Sequence, residues 1–102
     1  MSAPIVFIVG AGDYIGAAIA RRFAKGGFTV CLGRRNGDKL EPLLEELRNT
    51  GQKAYGYSFD ARDEEATEEI FKKIESTVGA IDLVIFNVGG NVYFPILETT
   101  AR

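Results

Sequence analysis

The apolar run Ile5-Val6-Phe7-Ile8-Val9 passes straight into Gly10-Ala11-Gly12-Asp13-Tyr14-Ile15-Gly16, and then into the helix-forming stretch Ala17-Ala18-Ile19-Ala20. A strand that breaks at a glycine-rich turn and restarts as an amphipathic helix restricts the fold sharply. The helix has to cross back over a sheet, with its N-terminus at the sheet's carboxyl edge. Backbone N–H groups and the positive end of the helix dipole then gather where a phosphate can sit.

The rest of the chain repeats the alternation. A strand over 4–10 leads to a helix over 14–25, with Ile15, Ile19 and Phe23 four apart on one face, ended by a left-handed cap at Gly26-Gly27. A strand over 28–32 follows. The second helix starts near Asn36 or Asp38, carries Pro42 in its first turns, turns Leu40, Leu43, Leu44 and Leu47 inward, and stops at Gly51. A third strand covers 53–59. Asp63 caps the third helix, which packs Ile70, Phe71, Ile74 and Val78 before Gly79. The fourth strand spans 81–88, with a loop after it. Strands alternating with helices of this length predict an α/β fold with right-handed crossovers and a parallel sheet. The expected architecture is a Rossmann-like doubly wound sheet in the order 3-2-1-4, truncated after four strands. Helices one and two lie on one face and helix three on the other. The first and fourth strands are apolar at nearly every position, as burial on both faces requires.

Composition removes several function classes. A chain of 102 residues with 46% apolar content makes one small domain rather than a disordered segment. A net charge of −2 offers no field for nucleic acid or an anionic membrane. Cys31 is alone in an apolar stretch and there is no His, so an internal disulfide and a zinc site of the usual kind are excluded. With the first strand starting so early, no targeting peptide is expected, and a reduced, cytoplasmic setting is expected with it.

Four strand ends carry the chemistry. Counted from Gly10, the pattern G-x-G-x-x-G asks for glycine where Ile15 stands; the third glycine comes one residue later, at Gly16. At the end of strand two, an NAD site wants an acid for the ribose hydroxyls, but the chain reads Leu32-Gly33-Arg34-Arg35-Asn36. A carboxylate would repel a ribose 2′-phosphate, whereas guanidinium groups hold it by charge-assisted hydrogen bonds, so NADP(H) is expected over NAD(H). The plain alternative is a pair of solvated loop arginines. Asp60, after strand three, can accept a hydrogen bond from an adenine amino group, or it can be a turn residue before Asp63. In Asn87-Val88-Gly89-Gly90, the amide can tie strand ends and the glycines can admit a ribose or make a turn.

Together these stretches resemble the short-chain dehydrogenase/reductase family over essentially the whole chain. The family's T-G-x-x-x-G-x-G turn lies over residues 9–16, with Gly10 and Gly16 matching, Val9 in place of Thr, and Tyr14 in place of the middle glycine. Its Asp after strand three matches Asp60. Its N-N-A-G segment is similar to Asn87-Val88-Gly89-Gly90. The resemblance implies a cofactor-binding set of Gly10, Gly12, Asp13, Tyr14, Ile15, Gly16, Arg34, Arg35, Asp60, Ala61, Asn87, Val88 and Gly89. It also implies an oxidoreductase acting on carbonyl or hydroxyl groups.

The family's catalysis uses Tyr-x-x-x-Lys with a preceding Ser, the Lys lowering the Tyr pKa. Here Tyr14, Tyr55, Tyr57 and Tyr93 precede Ala18, Phe59, Ala61 and Leu97 at that spacing, so no catalytic residue is assigned. The expectation is the cofactor-binding half of such an enzyme, whose fourth strand is an apolar edge open to self-association or a complementing chain. The competing reading is a non-catalytic nucleotide-binding or partner-binding module. Other Rossmann-like domains fit less well: a methyltransferase wants an acid where Arg34 stands, and a receiver domain wants acids where Gly10 stands.

Overall fold

The computed structural model of the chain describes residues 3–10, 14–88 and 91–93. Strand β1 (Ile5–Val9) is buried at all five positions because it runs through the middle of the sheet. It pairs in parallel with β2 (Thr29–Arg34) on one side and β4 (Leu83–Val88) on the other. β2 pairs in parallel with β3 (Ala54–Ser58), so the expected order 3-2-1-4 is observed.

The period-two pattern of β1 divides its side chains between two cores. Val6 and Ile8 join Val30, Leu32 and Ile85 beneath α1 (Tyr14–Lys25) and α2 (Glu41–Asn49). Phe7 and Val9 join Cys31, Phe59 and Val84 beneath α3 (Glu64–Thr77), with Phe7 edge-on to Phe71 at 5.2 Å between ring centres. Burying each such Phe, Ile or Leu is worth about 1.5–3 kcal/mol, and a one-residue slip would exchange the two cores, so the register is firmly set. Cys31 is buried in the α3-side core, where burial pushes its thiol up to about 12. Asp63 caps α3 by accepting a hydrogen bond from the Ala66 N–H.

The structure corrects several details. On α1 the fully buried row is Gly16, Ala20 and Ala24, not the larger residues one position earlier. Ile19 and Phe23 flank the contact half-buried, and Ile15 is 44% exposed. Small residues at the contact line let the helix lie close to the sheet. The second helix is split: a 3₁₀ turn (Gly37–Leu40) precedes α2, with Pro42 in the first turn of α2, where a missing N–H costs nothing. The segment expected as a loop contains β5 (Asn91–Tyr93), antiparallel to β4, so the sheet has a fifth strand. The open fourth edge is therefore corrected: β5 pairs along Phe86, Asn87 and Val88.

Candidate functional site

All four predicted strand ends reach the carboxyl edge of the sheet, but they are held in two different ways. At the ends of β1 and β4, Gly10 donates its N–H to the Gly33 carbonyl at 2.7 Å. The Asn87 Nδ2 donates to the Gly10 carbonyl at 3.1 Å from a side chain inside the fold. Gly10 has φ +89°, and a Cβ there would overlap the Asn87 carbonyl oxygen, so both conformation and space require glycine. The buried amide thus does tie neighbouring strand ends, as its sequence position suggests; the alternatives for Gly89 and Gly90 lie outside the described residues.

The chain then enters α1. Its first turn carries no acid, and Arg22 and Lys25 stand in its last turn, so no carboxylate within that turn offsets the positive end of the dipole. Tyr14 is 88% exposed at the first helical position, turned into solvent, and Gly16 is buried. Gly12, Asp13 and Gly89 lie outside the described residues, as does Ala11 between Gly10 and Gly12.

At the ends of β2 and β3 the polypeptide is exposed. Arg34 stands in register with Ser58, half-buried, and its carbonyl accepts the Phe59 N–H at 3.0 Å. Arg35 is exposed, and its carbonyl accepts from the Ser58 hydroxyl at 2.9 Å. That same hydroxyl accepts the Gly37 N–H at 3.2 Å. Among the described residues, no carboxylate forms an ion pair with either guanidinium. Two cations at a strand end, neither held in an ion pair among the described residues, suit a dianionic phosphate.

Asp60, after β3, is already engaged. Its Oδ1 accepts from the Arg62 backbone N–H and Nε at 3.0 and 3.1 Å, and its Oδ2 from Nη2 at 3.0 Å. Hydrogen bonding from Arg62, with a smaller contribution from the positive charge of Arg35, lowers the Asp60 carboxyl to about 2. Asp60 is therefore a carboxylate at any physiological pH. It is the acceptor that the adenine reading needs, but one shared with Arg62. Ala61 is exposed beside it and accepts a long bond from the Thr67 hydroxyl.

The structure thus brings Gly10, Arg34, Arg35, Asp60, Ala61, Asn87 and Val88 to one edge of the sheet, with Tyr14, Ile15 and Gly16 opening the adjoining helix. Sequence reasoning missed Ser58 and Arg62. Arg62 carried a faint signal, two residues after an Asp, where an Asx-type bond forms. Ser58 carried none until β2 and β3 were in register. Among the described residues no cluster of acids, Cys and His could hold a metal ion, and no helix is long and apolar enough to cross a membrane.

Comparison with known proteins agrees with this geometry. The family model for short chain dehydrogenase matches residues 4–102. The 2,3-dihydro-2,3-dihydroxybenzoate dehydrogenase of Bacillus subtilis is 38% identical over 84% of this chain and 33% of its own. A short-chain dehydrogenase from Rhodopseudomonas palustris superposes with a TM-score of 0.78 at 49% identity, over 97% of this chain and 46% of that one. Actinorhodin polyketide ketoreductase, solved with NADPH, superposes with a TM-score of 0.80 at 30% identity, over 87% of this chain and 35% of that one. The chain spans about a third of the length of most of the curated relatives it matches. A parallel sheet in the order 3-2-1-4, a glycine node between β1 and β4 and a match along nearly all of its length make this chain a member of the short-chain dehydrogenase family.

Proposed function

We propose that the chain is the NADP(H)-binding portion of an oxidoreductase that acts on a carbonyl or hydroxyl substrate. The observation that carries the reading is the pair Arg34 and Arg35 where an acid would select NAD, on a loop anchored at the ligand edge. Gly10 and the start of α1 would hold the pyrophosphate side, Arg34 with Arg35 the 2′-phosphate, Asp60 with Ala61 the adenine, and Asn87 to Gly89 the nicotinamide-side ribose. The sequence motif assigns Gly12 and Asp13 to the pyrophosphate side as well. When bound, the cofactor supplies or accepts a hydride; the residues described here bind and orient it. Similar structures solved with NADPH, NADP and 5-hydroxy-NADP support the choice of coenzyme.

Binding of NADPH against NADH tests it, with Arg34→Asp as the decisive variant. The wild-type chain is expected to favour NADPH by about a hundredfold, two charge-assisted contacts' worth, and Arg34→Asp to abolish most of that preference. An unchanged ratio would refute the assignment.

A second reading is a nucleotide-binding module without catalysis. NADPH-linked turnover by the purified chain would discard it. We further propose a cytoplasmic setting, and association with a second copy or a complementing chain along residues 83–85, the part of β4 that β5 does not pair. Sedimentation at tens of micromolar showing only monomer would count against that association.

A further inference from the structure

We propose that Ser58 is a positioning residue for coenzyme selection, holding the loop that carries Arg34 and Arg35 in the shape a ribose 2′-phosphate requires. The inference rests on the NADP(H) reading above. The Ser58 hydroxyl is used twice: it donates to the Arg35 carbonyl at 2.9 Å and accepts from the Gly37 N–H at 3.2 Å, closing the backbone on both sides of Asn36. The Phe59 N–H, bonded to the Arg34 carbonyl at 3.0 Å, fixes the residue before. Three bonds from Ser58, the last residue of β3, and Phe59 after it thus pin 34–37 along this edge of the sheet. Ser58 is exposed, so it contributes little to either core, and an alanine there would still fit the strand. What the hydroxyl supplies is loop order.

The fit is close. A Cβ at Gly37 would stand 2.7 Å from the Ser58 Cβ, so the loop lies directly on this side chain, and only glycine allows that approach. Guanidinium groups bind a phosphate well when their backbone is already placed; a loose loop has to be ordered at the moment of binding, which weakens the complex. A coenzyme without the 2′-phosphate makes no demand on this loop. The hydroxyl is therefore expected to act on NADPH and leave NADH nearly untouched, which a general structural role would not do.

The test is calorimetry of the full chain with NADPH and with NADH, for wild type, Ser58→Ala, Gly37→Ala and Arg34→Asp. Ser58→Ala is expected to weaken NADPH binding about threefold to tenfold, the worth of one or two neutral hydrogen bonds, and to leave NADH binding essentially as in wild type. Gly37→Ala, which pushes the loop away with the hydroxyl still present, is expected to do the same. Backbone ¹⁵N order parameters at Gly37 in the cofactor-free chain are expected to fall in Ser58→Ala, a readout independent of ligand. Equal losses for both coenzymes, no loss for either, or unchanged order at Gly37 would overturn the proposal. If Arg34→Asp shifts the coenzyme ratio while Ser58→Ala does not, the latch alone fails. If Arg34→Asp leaves the ratio intact, the arginine assignment fails and the latch with it.

Discussion

The two halves of the sheet's carboxyl edge are built by opposite strategies. Where β1 meets β4, Gly10 and Asn87 form a node sunk into the fold, and a single added methyl has nowhere to go. Where β2 meets β3, Arg34, Arg35, Ser58, Asp60 and Arg62 stand half-buried or exposed, joined by hydrogen bonds that water can replace. The difference teaches where each kind of damage will appear. A buried site is part of what makes the domain fold, so its variants should lose stability. An exposed site recognises without supporting the core, so its variants should lose selectivity and keep their melting temperature.

Substitutions can break or sharpen that contrast. Gly10→Ala should be the most damaging: positive φ and the overlap with the Asn87 carbonyl together cost roughly 3 kcal/mol or more, a large part of a small domain's stability, read as a fall in the urea midpoint. Asn87→Ala comes next, at about 2 kcal/mol for a lost buried hydrogen bond and the gap left behind; a midpoint unchanged by this variant would show that the node is not a structural unit. Arg34→Asp, at a half-buried strand end outside both cores, should shift stability by less than about 1 kcal/mol, while removing most of the preference for NADPH. If it unfolds the chain instead, the division between the two halves is wrong.

Arg62→Ala is the mildest. In wild type the Asp60 carboxyl sits near 2, below its unfolded value, so its contribution is present above about pH 4 and is lost as pH falls through 2. Without Arg62 its titration midpoint, followed by carbonyl NMR, should rise toward the ordinary Asp range. A midpoint still near 2 would assign the shift to Arg35.

Most of the architecture was legible because it is written in patterns that survive without tertiary information. Five apolar residues in a row, a glycine turn, and leucines at helical spacing state a central strand and its covering helices directly. The errors came where packing decides. The α1 stripe was read from its largest residues, yet the sheet takes the small row, Gly16, Ala20 and Ala24, because close approach favours the smaller surface. The strand at Asn91–Tyr93 is three residues long and carries too little pattern to show. In the site, the strand-end residues were legible because topology alone sends them to one edge. Ser58 was not, because its role exists only once Arg34 lies opposite it. Nor was the sharing of Asp60 with Arg62, a matter of side-chain geometry.

The central claim is that the 2′-phosphate of the coenzyme is recognised by residues 34–37 while the remainder docks at the glycine node. Backbone amide shift mapping of the chain with NADPH and, separately, with NADH tests it most directly. The account predicts that both coenzymes perturb Gly10 and Asn87, and that only NADPH strongly perturbs Arg34, Arg35 and Gly37. Identical maps for the two coenzymes, or no change along this edge at millimolar concentration, would contradict it.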